Sequence, residues 1–341
     1  MILSGNDMLW DKYIEKLPEE KQDIYFTRQY CCLSQQLVRG EAQLFVYEKG
    51  ENFILYPFIK RPIQNMKLDK VYYDIETPYG YGGPIIKYED SILIHDFESA
   101  FLEFCLKENI IAEFIRFHPL LKNELFFQEN VEILHNRTTV WLDLKKNLDD
   151  IWKQEISSTC RNRIRKCEKN GLEVEISDNY DEFVEIYNQT MHKVGAGEFY
   201  FFDKQYYDGI RNNPNCILMR GTQNKAVLAG AIFMKYKDYF HFHLGGSKRE
   251  FLKLAPNNIL MWSAIKYAKL CGCKKMHFGG GLTDSKEDSL FRFKSTFSSS
   301  CADFYIGKRV HNREIYKKLI QKWEDIHGEK AKILLQYHEN R

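Results

Sequence analysis

Long apolar segments are missing from this chain of 341 residues, although 44% of its residues are hydrophobic. No run approaches the ~18 apolar residues that a membrane-spanning helix requires, so no transmembrane segment is predicted. Residues 1–7 have neither the basic stretch nor the apolar core of a signal peptide, and we expect a cytoplasmic protein. A net charge of +2 supplies no overall field for binding DNA, so any anion-binding surface has to be local.

Several common motifs are also absent. The nine cysteines include no CxxC pair and their number is odd, so we predict reduced thiols, no disulfide framework and no metal site. Neither the GxSxG motif of serine hydrolases nor the GxxxxGKS/T phosphate loop occurs. Serine hydrolase and phosphate-loop nucleotidase chemistry are therefore not indicated.

The chain contains a faint internal repeat. Each copy has the same order of predicted parts: a helix, an apolar hairpin, a strand, a glycine-containing loop, a second helix and a final strand. In the first copy these lie at 20–37, 43–59, 71–74, 79–83, 96–107 and 112–117. In the second they lie at 180–193, 216–234, 239–244, 245–246, 256–270 and 275–278. The repeat predicts an α/β (α+β) protein with tandem domains at 1–144 and 145–310, followed by a C-terminal helix within 311–341.

A basic helix is predicted between the two copies, from about 151 to 170. Four of its basic residues form a candidate phosphate-binding group, because guanidinium and ammonium groups match phosphate oxygens. They are Arg161, Arg163, Arg165 and Lys166. The alternative is an ordinary solvated helix face, which is what charge runs usually form.

A glycine run and a lysine form the most distinctive segment. Gly279, Gly280 and Gly281 follow an apolar strand, where glycines let the backbone approach a ligand. Lys294 comes shortly afterwards, among phenylalanines. It is either a functional cation in apolar surroundings or a surface lysine whose stem lies on those rings.

The chain resembles the FemABX family in four features: the duplicated topology, the loop at 79–84, the basic helix and the segment Phe293-Lys294-x-x-Phe297. Its members have two domains of the GNAT acetyltransferase fold, each with a mixed sheet flanked by helices. They transfer amino acids from aminoacyl-tRNA to an amine of a peptidoglycan precursor. The resemblance spans roughly residues 25–305. It implies no tightly bound cofactor, aminoacyl-tRNA as co-substrate, and a nucleotide- or lipid-linked cell-envelope precursor as partner.

The resemblance also implies roles for individual residues. Lys294 would stabilise transition-state charge or the donor's leaving oxygen, and Phe297 would belong to the same substrate-binding segment. Backbone N–H groups of the glycine run at 279–281 would bind the oxyanion. In the first domain, three glycines and two tyrosines after a strand also suit a ligand-binding loop, with Tyr81 as the second catalytic candidate and Tyr79, Gly82 and Gly83 as candidates for substrate binding. The alternative is a tight turn whose tyrosines pack against the protein.

Two strand histidines are further candidates. His241 and His243 alternate on a predicted strand, so one of them could take the proton that the attacking amine must lose. The alternative is a half-polar sheet face.

Two departures from the family pattern leave the donor open. No helical arm is inserted between 178 and 281, and Ser298, Ser299 and Ser300 stand where glycine commonly follows. The chain therefore also resembles shorter FemAB-like proteins, for which acyl-CoA and an amino sugar in surface polysaccharide synthesis are the alternative substrates. A GNAT enzyme that uses CoA is expected to have a glycine-rich phosphate turn, and 254–258 contains no glycine. A third alternative is a non-catalytic GNAT-fold protein that binds an envelope precursor.

Overall fold

The computed structural model describes residues 1–64, 66, 68–127 and 130–338. The chain divides into two compact units. Unit 1 comprises Met1–Asn136 and Phe304–Arg341, and unit 2 comprises Arg137–Asp303. Among the described residues, no helix combines the length and the apolar character needed to cross a membrane.

Unit 1 is built on a mixed sheet. Its strands before residue 130 are β1 (Ile2–Ser4), β2 (Glu41–Lys49), β3 (Asn52–Pro62), β4 (Tyr73–Glu76), β5 (Ile85–Ile86) and β6 (Ile110–Arg116). Its helices before residue 130 are α1 (Leu9–Glu15), α2 (Arg28–Val38) and α3 (Ser91–Lys107). Short 3₁₀ turns lie at Glu19–Lys21, Ile24–Phe26 and Asn123–Phe126. Strand β7 (Glu132–Asp143) leads into unit 2, and β13 (Cys301–Val310) returns to unit 1, followed by α10 (Arg313–His327).

The sheet order of unit 1 is β1-β2-β3-β4-β6-β13, with β5 beside β3. Strands β4 and β6 are parallel and the other pairs are antiparallel. An aromatic core lies between this sheet and α3, with Phe45, Tyr56 and Phe101 all buried. The nearly continuously buried strands β3 and β6 and the buried side of α3 thus meet in one apolar layer.

Buried polar contacts attach the C-terminal part of the chain to the rest of unit 1. Arg309 of β13 donates to Glu113 of β6 at 2.7 Å, and both side chains are buried. Asp74 of β4 accepts from the Tyr337 hydroxyl at 3.0 Å and contacts His338 Nε2 at 2.8 Å. Residues beyond 303 are therefore an integral part of the unit that begins at the N-terminus.

Unit 2 repeats the mixed-sheet plan. Its strands after β7 are β8 (Glu173–Ser177), β9 (Cys216–Gln223), β10 (Ala226–Tyr236), β11 (Tyr239–Ser247) and β12 (Lys275–Gly280). Its helices are α4 (Leu148–Asp150), α5 (Ser158–Lys169), α6 (Tyr180–Val194), α7 (Lys204–Arg211), α8 (Pro256–Leu270) and α9 (Ser289–Ser295). A π-helical turn occupies Ile151–Glu155, and 3₁₀ turns lie at Glu198–Tyr200 and Arg249–Leu254.

The sheet order of unit 2 is β7-β12-β11-β10-β9-β8. Strands β11 and β12 are parallel, and the remaining pairs are antiparallel. Helices α5 and α8 contribute to one buried cluster with the sheet, including Ile164, Ile265 and Phe278. The predicted tandem arrangement of two mixed sheets flanked by helices is confirmed.

The unit boundaries differ from the predicted ones at 144 and 310. Strand β13 passes from unit 2 into unit 1 at Phe304, because its residues Ile306–Val310 pair with β6. The predicted C-terminal segment 311–341 belongs to unit 1, where Leu319 and Trp323 of α10 are buried. Its last three residues, 339–341, lie outside the described part of the chain, as do residues 65, 67, 128 and 129 of the first predicted domain.

The predicted long helix at 151–170 is divided in the structure. The π-helical turn ends at Glu155, and α5 begins after Ser157, whose side chain accepts a hydrogen bond from the Cys160 N–H. Serine is a good N-cap because its hydroxyl satisfies a backbone donor that the helix leaves unpaired. The apolar periodicity continues through this break, so the sequence pattern alone gave no sign of it.

Candidate functional site

The parallel strands β11 and β12 pair over only three positions. The last pair is His241 with His277, after which β11 continues to Ser247 and β12 to Gly280. Each strand has an irregularity just beyond that point. In β11, the pairing with β10 passes over His243, which forms a bulge. In β12, the pairing with β7 shifts at the same level, and Gly279 has a φ of +75°. Bulges bend strands and often lie beside active sites, and ligands of open α/β sheets bind at the carboxyl ends of their strands.

Lys294 lies where the two strands stop pairing. Its side chain projects from α9, only 6% of the residue is exposed, and Nζ donates to the Gly280 carbonyl at 2.7 Å. Nζ also lies 5.4 Å from the centre of the Phe242 ring. The lysine therefore contacts one residue of each strand beyond their last pair. The alternative of a solvated surface lysine does not hold.

The surroundings of Lys294 change its acidity. The pKa of Lys294 is lowered from 10.5 to about 7, chiefly by burial and also by the positive charge of Arg137, while the negative charge of Asp288 acts in the opposite direction. Burial has this effect because it disfavours the charged form of the amine. Near neutral pH, both the ammonium and the free amine are populated, so Lys294 can serve either as a hydrogen-bond-donating cation or as a proton acceptor.

Arg137 is a site residue that the sequence did not reveal. Its Nη1 donates to the Gly281 carbonyl at 2.6 Å, next to the Gly280 carbonyl that Lys294 occupies. A Cβ at position 280 would lie 2.9 Å from the Thr138 carbonyl, which explains the glycine there. Two cations thus hold two consecutive carbonyls of the glycine run. The proposed binding of an oxyanion by the backbone N–H groups of Gly279, Gly280 and Gly281 stays a prediction.

Asp288 fixes the loop between the glycine run and α9. One carboxylate oxygen accepts from the Leu290 and Phe291 N–H groups at 2.9 Å, and the other accepts from Leu282 and Thr283 at 3.0 and 3.1 Å. Burial acts to raise the pKa of Asp288, but these backbone hydrogen bonds outweigh it and lower the pKa. Asp288 therefore caps α9 and orders the approach to Lys294, and its carboxylate is already occupied.

Phe297 supports the site from within the core. It is fully buried and stacks on Phe278 with ring centres 5.9 Å apart. The prediction that Phe297 contacts substrate is corrected, because its ring is enclosed by the apolar cluster of unit 2. Its position three residues after Lys294 explains why the two occur together: the buried ring anchors the end of α9 that carries the lysine.

The two predicted histidines have other partners than Lys294. His243 Nε2 lies 2.7 Å from the Tyr206 hydroxyl of α7, and burial lowers the pKa of His243 to about 3, so this imidazole is neutral at physiological pH. His241 is buried, and its ring centre lies 5.7 Å from that of His277. The structure places both histidines beside neighbouring aromatic rings, and the role of either one as a proton acceptor stays a prediction.

The basic residues of α5 divide into two groups. Arg161 Nη1 donates to the carbonyls of Trp152, Lys153 and Ile156, so it closes the end of the π-helical turn. Arg161 is accordingly the least suited of the four to bind phosphate. The other three, Arg163, Arg165 and Lys166, are exposed on the helix. Their phosphate-binding role stays a prediction.

The glycine loop at 79–83 lies in unit 1 and is held by side chains. Tyr30 donates its hydroxyl hydrogen to the Tyr79 carbonyl at 2.7 Å. Asn123 Nδ2 donates to the Gly82 carbonyl at 2.7 Å and lies so close to Gly83 that a Cβ there would be 2.7 Å away. Gly83 also has a φ of +91°, a conformation that glycine adopts without strain.

Tyr81 belongs to an aromatic cluster of unit 1. Its half-buried ring lies edge-on to Tyr25 and Phe304, with ring centres 5.2 and 5.1 Å apart. Tyr81 and Lys294, the two predicted catalytic residues, therefore belong to different units. A catalytic role for Tyr81 and substrate contacts for Tyr79, Gly82 and Gly83 stay predictions.

Known proteins resemble this chain in fold. Residues 155–294 match the family described as "Acetyltransferase (GNAT) domain". No curated protein matches the sequence. The crystal structure of FemX is similar with a TM-score of 0.66 and 15% identity, over 93% of this chain and 99% of that one.

Two further solved structures are similar to this chain in fold. The C-terminal domain of a putative lysylphosphatidylglycerol synthetase from Agrobacterium fabrum has a TM-score of 0.53 and 15% identity, over 89% of this chain and 93% of that domain. L-PGS from Bacillus licheniformis has a TM-score of 0.53 and 13% identity, over 90% and 94%.

These similarities confirm the predicted GNAT-type fold and its likeness to FemX. The matched domain begins before α5 and ends at Lys294. This match to an acetyltransferase domain confirms the predicted enzyme class, an acyltransferase.

Proposed function

We propose that this chain is a cytoplasmic N-acyltransferase of the FemABX type. It transfers an aminoacyl group from aminoacyl-tRNA to an amine of a peptidoglycan or other cell-envelope precursor. The observation that carries the proposal is the burial of Lys294 where β11 and β12 cease to pair, with its amine on the Gly280 carbonyl. An amine in that position is close to any acyl group inserted between the two strand ends.

The reaction requires both a charge stabiliser and a proton carrier. The acceptor amine loses a proton and attacks the acyl carbonyl, a C–N bond forms, and the carbonyl oxygen becomes negative. The bond to the donor's oxygen (sulfur in the case of CoA) then breaks, and that atom takes up a proton. Protonated Lys294 stabilises the oxyanion, a type of contact whose loss costs about 10²–10³ in rate. Its lowered pKa also suits it to exchange a proton during the reaction.

Two features support an envelope substrate and a phosphate-rich donor. The fold is similar to FemX and to a protein named as a lysylphosphatidylglycerol synthetase, a name that describes an aminoacylated lipid product. The exposed basic groups of Arg163, Arg165 and Lys166 suit the phosphates of tRNA or of a nucleotide- or lipid-linked acceptor.

A second candidate function is transfer from acyl-CoA to an amino sugar, and one feature favours it. Helix α8 begins at Pro256 without a side-chain cap, and the preceding Ala255 has a left-handed φ of +56°. That backbone conformation is usually supplied by glycine. Helix N-termini of this kind bind phosphate through their backbone N–H groups. Residue 255 thus makes, without a glycine, the left-handed turn that precedes α8.

The experiment offers the two labelled donors separately. Purified protein is incubated with labelled aminoacyl-tRNA or with labelled acyl-CoA, each with nucleotide-linked and lipid-linked envelope precursors. Transfer from the tRNA supports the proposal, and transfer from CoA alone replaces it with the second candidate. No transfer from either donor, together with precursor binding that Lys294→Met leaves unchanged, would identify a non-catalytic binding protein. Lys286→Met, at an exposed lysine of the preceding loop, is the matched control.

A further inference from the structure

Arg137 and Lys294 occupy adjacent carbonyls although they come from separate elements. Arg137 extends from β7 to the Gly281 carbonyl at 2.6 Å, and Lys294 extends from α9 to the Gly280 carbonyl at 2.7 Å. Each hydrogen bond joins a cationic side chain to a peptide dipole, which is stronger than a bond between neutral groups. The peptide unit between these two carbonyls is thereby fixed from both sides.

The Arg137 side chain also packs against this backbone. A Cβ at position 280 would lie 2.7 Å from Arg137 Cδ and 3.1 Å from Cγ. The aliphatic part of the arginine thus lies directly on the Cα of Gly280, and the register places Gly280 opposite Thr139 of the same strand β7. The packing of Arg137 on Gly280 and its hydrogen bond to the Gly281 carbonyl together fix the direction of the Gly280 carbonyl.

We propose that Arg137 is a positioning residue for Lys294: by binding the Gly281 carbonyl and packing on Gly280, it fixes the backbone whose Gly280 carbonyl receives the lysine amine. In this place its positive charge also favours release of the lysine proton. The inference rests on the proposed function, because it takes Lys294 as the catalytic group. Arg137 itself need not touch substrate.

The electrostatics agree with this geometry. Arg137 on β7 and Asp288 before α9 are the charged groups that act on Lys294, with opposite signs, while β11 presents the Phe242 ring and β12 a backbone carbonyl. Asp288 is engaged by backbone N–H groups of its own loop. Removing the arginine charge should raise the pKa of Lys294 by about 1, the lower end of what a nearby charge produces.

The titration of Lys294 tests the inference without requiring turnover. The protein is labelled with ¹³C at lysine Cε, the Lys294 signal is identified by its loss in Lys294→Met, and its midpoint is followed with pH. In Arg137→Gln the midpoint should rise by about one pH unit, leaving roughly fivefold less free amine at pH 7. Arg137→Lys should keep the low midpoint because it keeps the charge.

Arg292→Gln is the matched control, because this arginine lies on α9 near Lys294 but its side chain is 67% exposed. An unchanged midpoint in Arg137→Gln, or an equal rise in Arg292→Gln, would overturn the inference. If Arg137→Gln does not fold, Arg137→Lys decides: a midpoint near that of an ordinary lysine contradicts the charge effect.

The activity assay adds a second readout. In Arg137→Gln the pH profile of kcat should shift with the titration, while KM for the acceptor changes little. If neither donor supports transfer in the wild-type protein, the proposed function fails while the titration still reports on Arg137.

Discussion

Replacing Lys294 by methionine should make the protein more stable and less active. Methionine has a similar length and no charge, so the substitution removes the ammonium with little change in volume. Lowering the lysine pKa from 10.5 to about 7 corresponds to about 5 kcal/mol against the folded state, at about 1.4 kcal/mol for each pKa unit. Against this, the Gly280 carbonyl loses its partner, which costs about 1–3 kcal/mol. We expect a net gain of about 2–4 kcal/mol at neutral pH.

The pH dependence identifies the cause of that gain. Because the pKa of Lys294 is lowered by folding, the folded protein binds fewer protons there than the unfolded chain between about pH 7 and 10.5. As the pH rises through that window, the wild-type protein therefore gains stability relative to Lys294→Met. Below about pH 7 the wild-type protein carries the full destabilisation caused by its buried charge. The stability difference between the two proteins should shrink steadily as the pH rises toward 10.5.

Urea unfolding followed by tryptophan fluorescence measures this difference, and the transfer assay measures activity. Activity should fall by about 10²-fold or more, the size of a lost oxyanion contact. The reasoning is refuted if Lys294→Met is less stable than the wild type by ~2 kcal/mol at every pH and retains full activity. That outcome would mean that the lysine serves only to join α9 to β12.

Two further predictions concern other parts of the chain. Glu113→Gln should destabilise the protein by about 3–5 kcal/mol, because it removes the fully buried carboxylate at 2.7 Å from Arg309 and leaves the more distant and more exposed Glu98. Arg309 and His311 lower the pKa of Glu113 to about 2 despite its burial. The stability that this carboxylate contributes should therefore disappear as the pH falls from 4.5 toward 2. Urea titrations measure this loss, with Glu314→Gln as the exposed control. In α5, Arg161→Gln should reduce stability by about 1 kcal/mol, whereas Arg163→Gln should leave stability unchanged and raise KM for the phosphate-bearing substrate in a salt-dependent way. Equal effects of the two arginine substitutions on KM would contradict this division.

Much of the fold could be predicted because the repeat has strong local signals. The helix predicted at 256–270 is Pro256–Leu270 in the structure, where a proline at the first position marks its start. The hairpin predicted at 43–59 is the pair β2 and β3, joined by a turn at Gly50 with a φ of +63°. Such features depend on residues close together in the chain, so the sequence displays them directly.

The parts that could not be predicted depend on contacts between distant segments. Arg137 and Gly281 are 144 positions apart, and no spacing in the sequence connects an arginine in a threonine-rich strand to that glycine. The same holds for α5: its arginines look alike in sequence, but only Arg161 faces the carbonyls of the preceding π-helical turn. Lys294 was predictable as a candidate because its apolar neighbours are adjacent in sequence, whereas its burial became clear only from the structure.

The return of β13 to unit 1 has a consequence for synthesis on the ribosome. Residues 1–136 emerge first, yet the strand beside β6, the counter-charge of Glu113 and the two side chains that contact Asp74 from Tyr337 and His338 are supplied by residues after 303. Unit 1 therefore cannot complete its fold until the whole of unit 2 has been translated. A chain terminated shortly after Asp303 would retain every residue of unit 2 and still leave unit 1 with an unneutralised carboxylate in its interior.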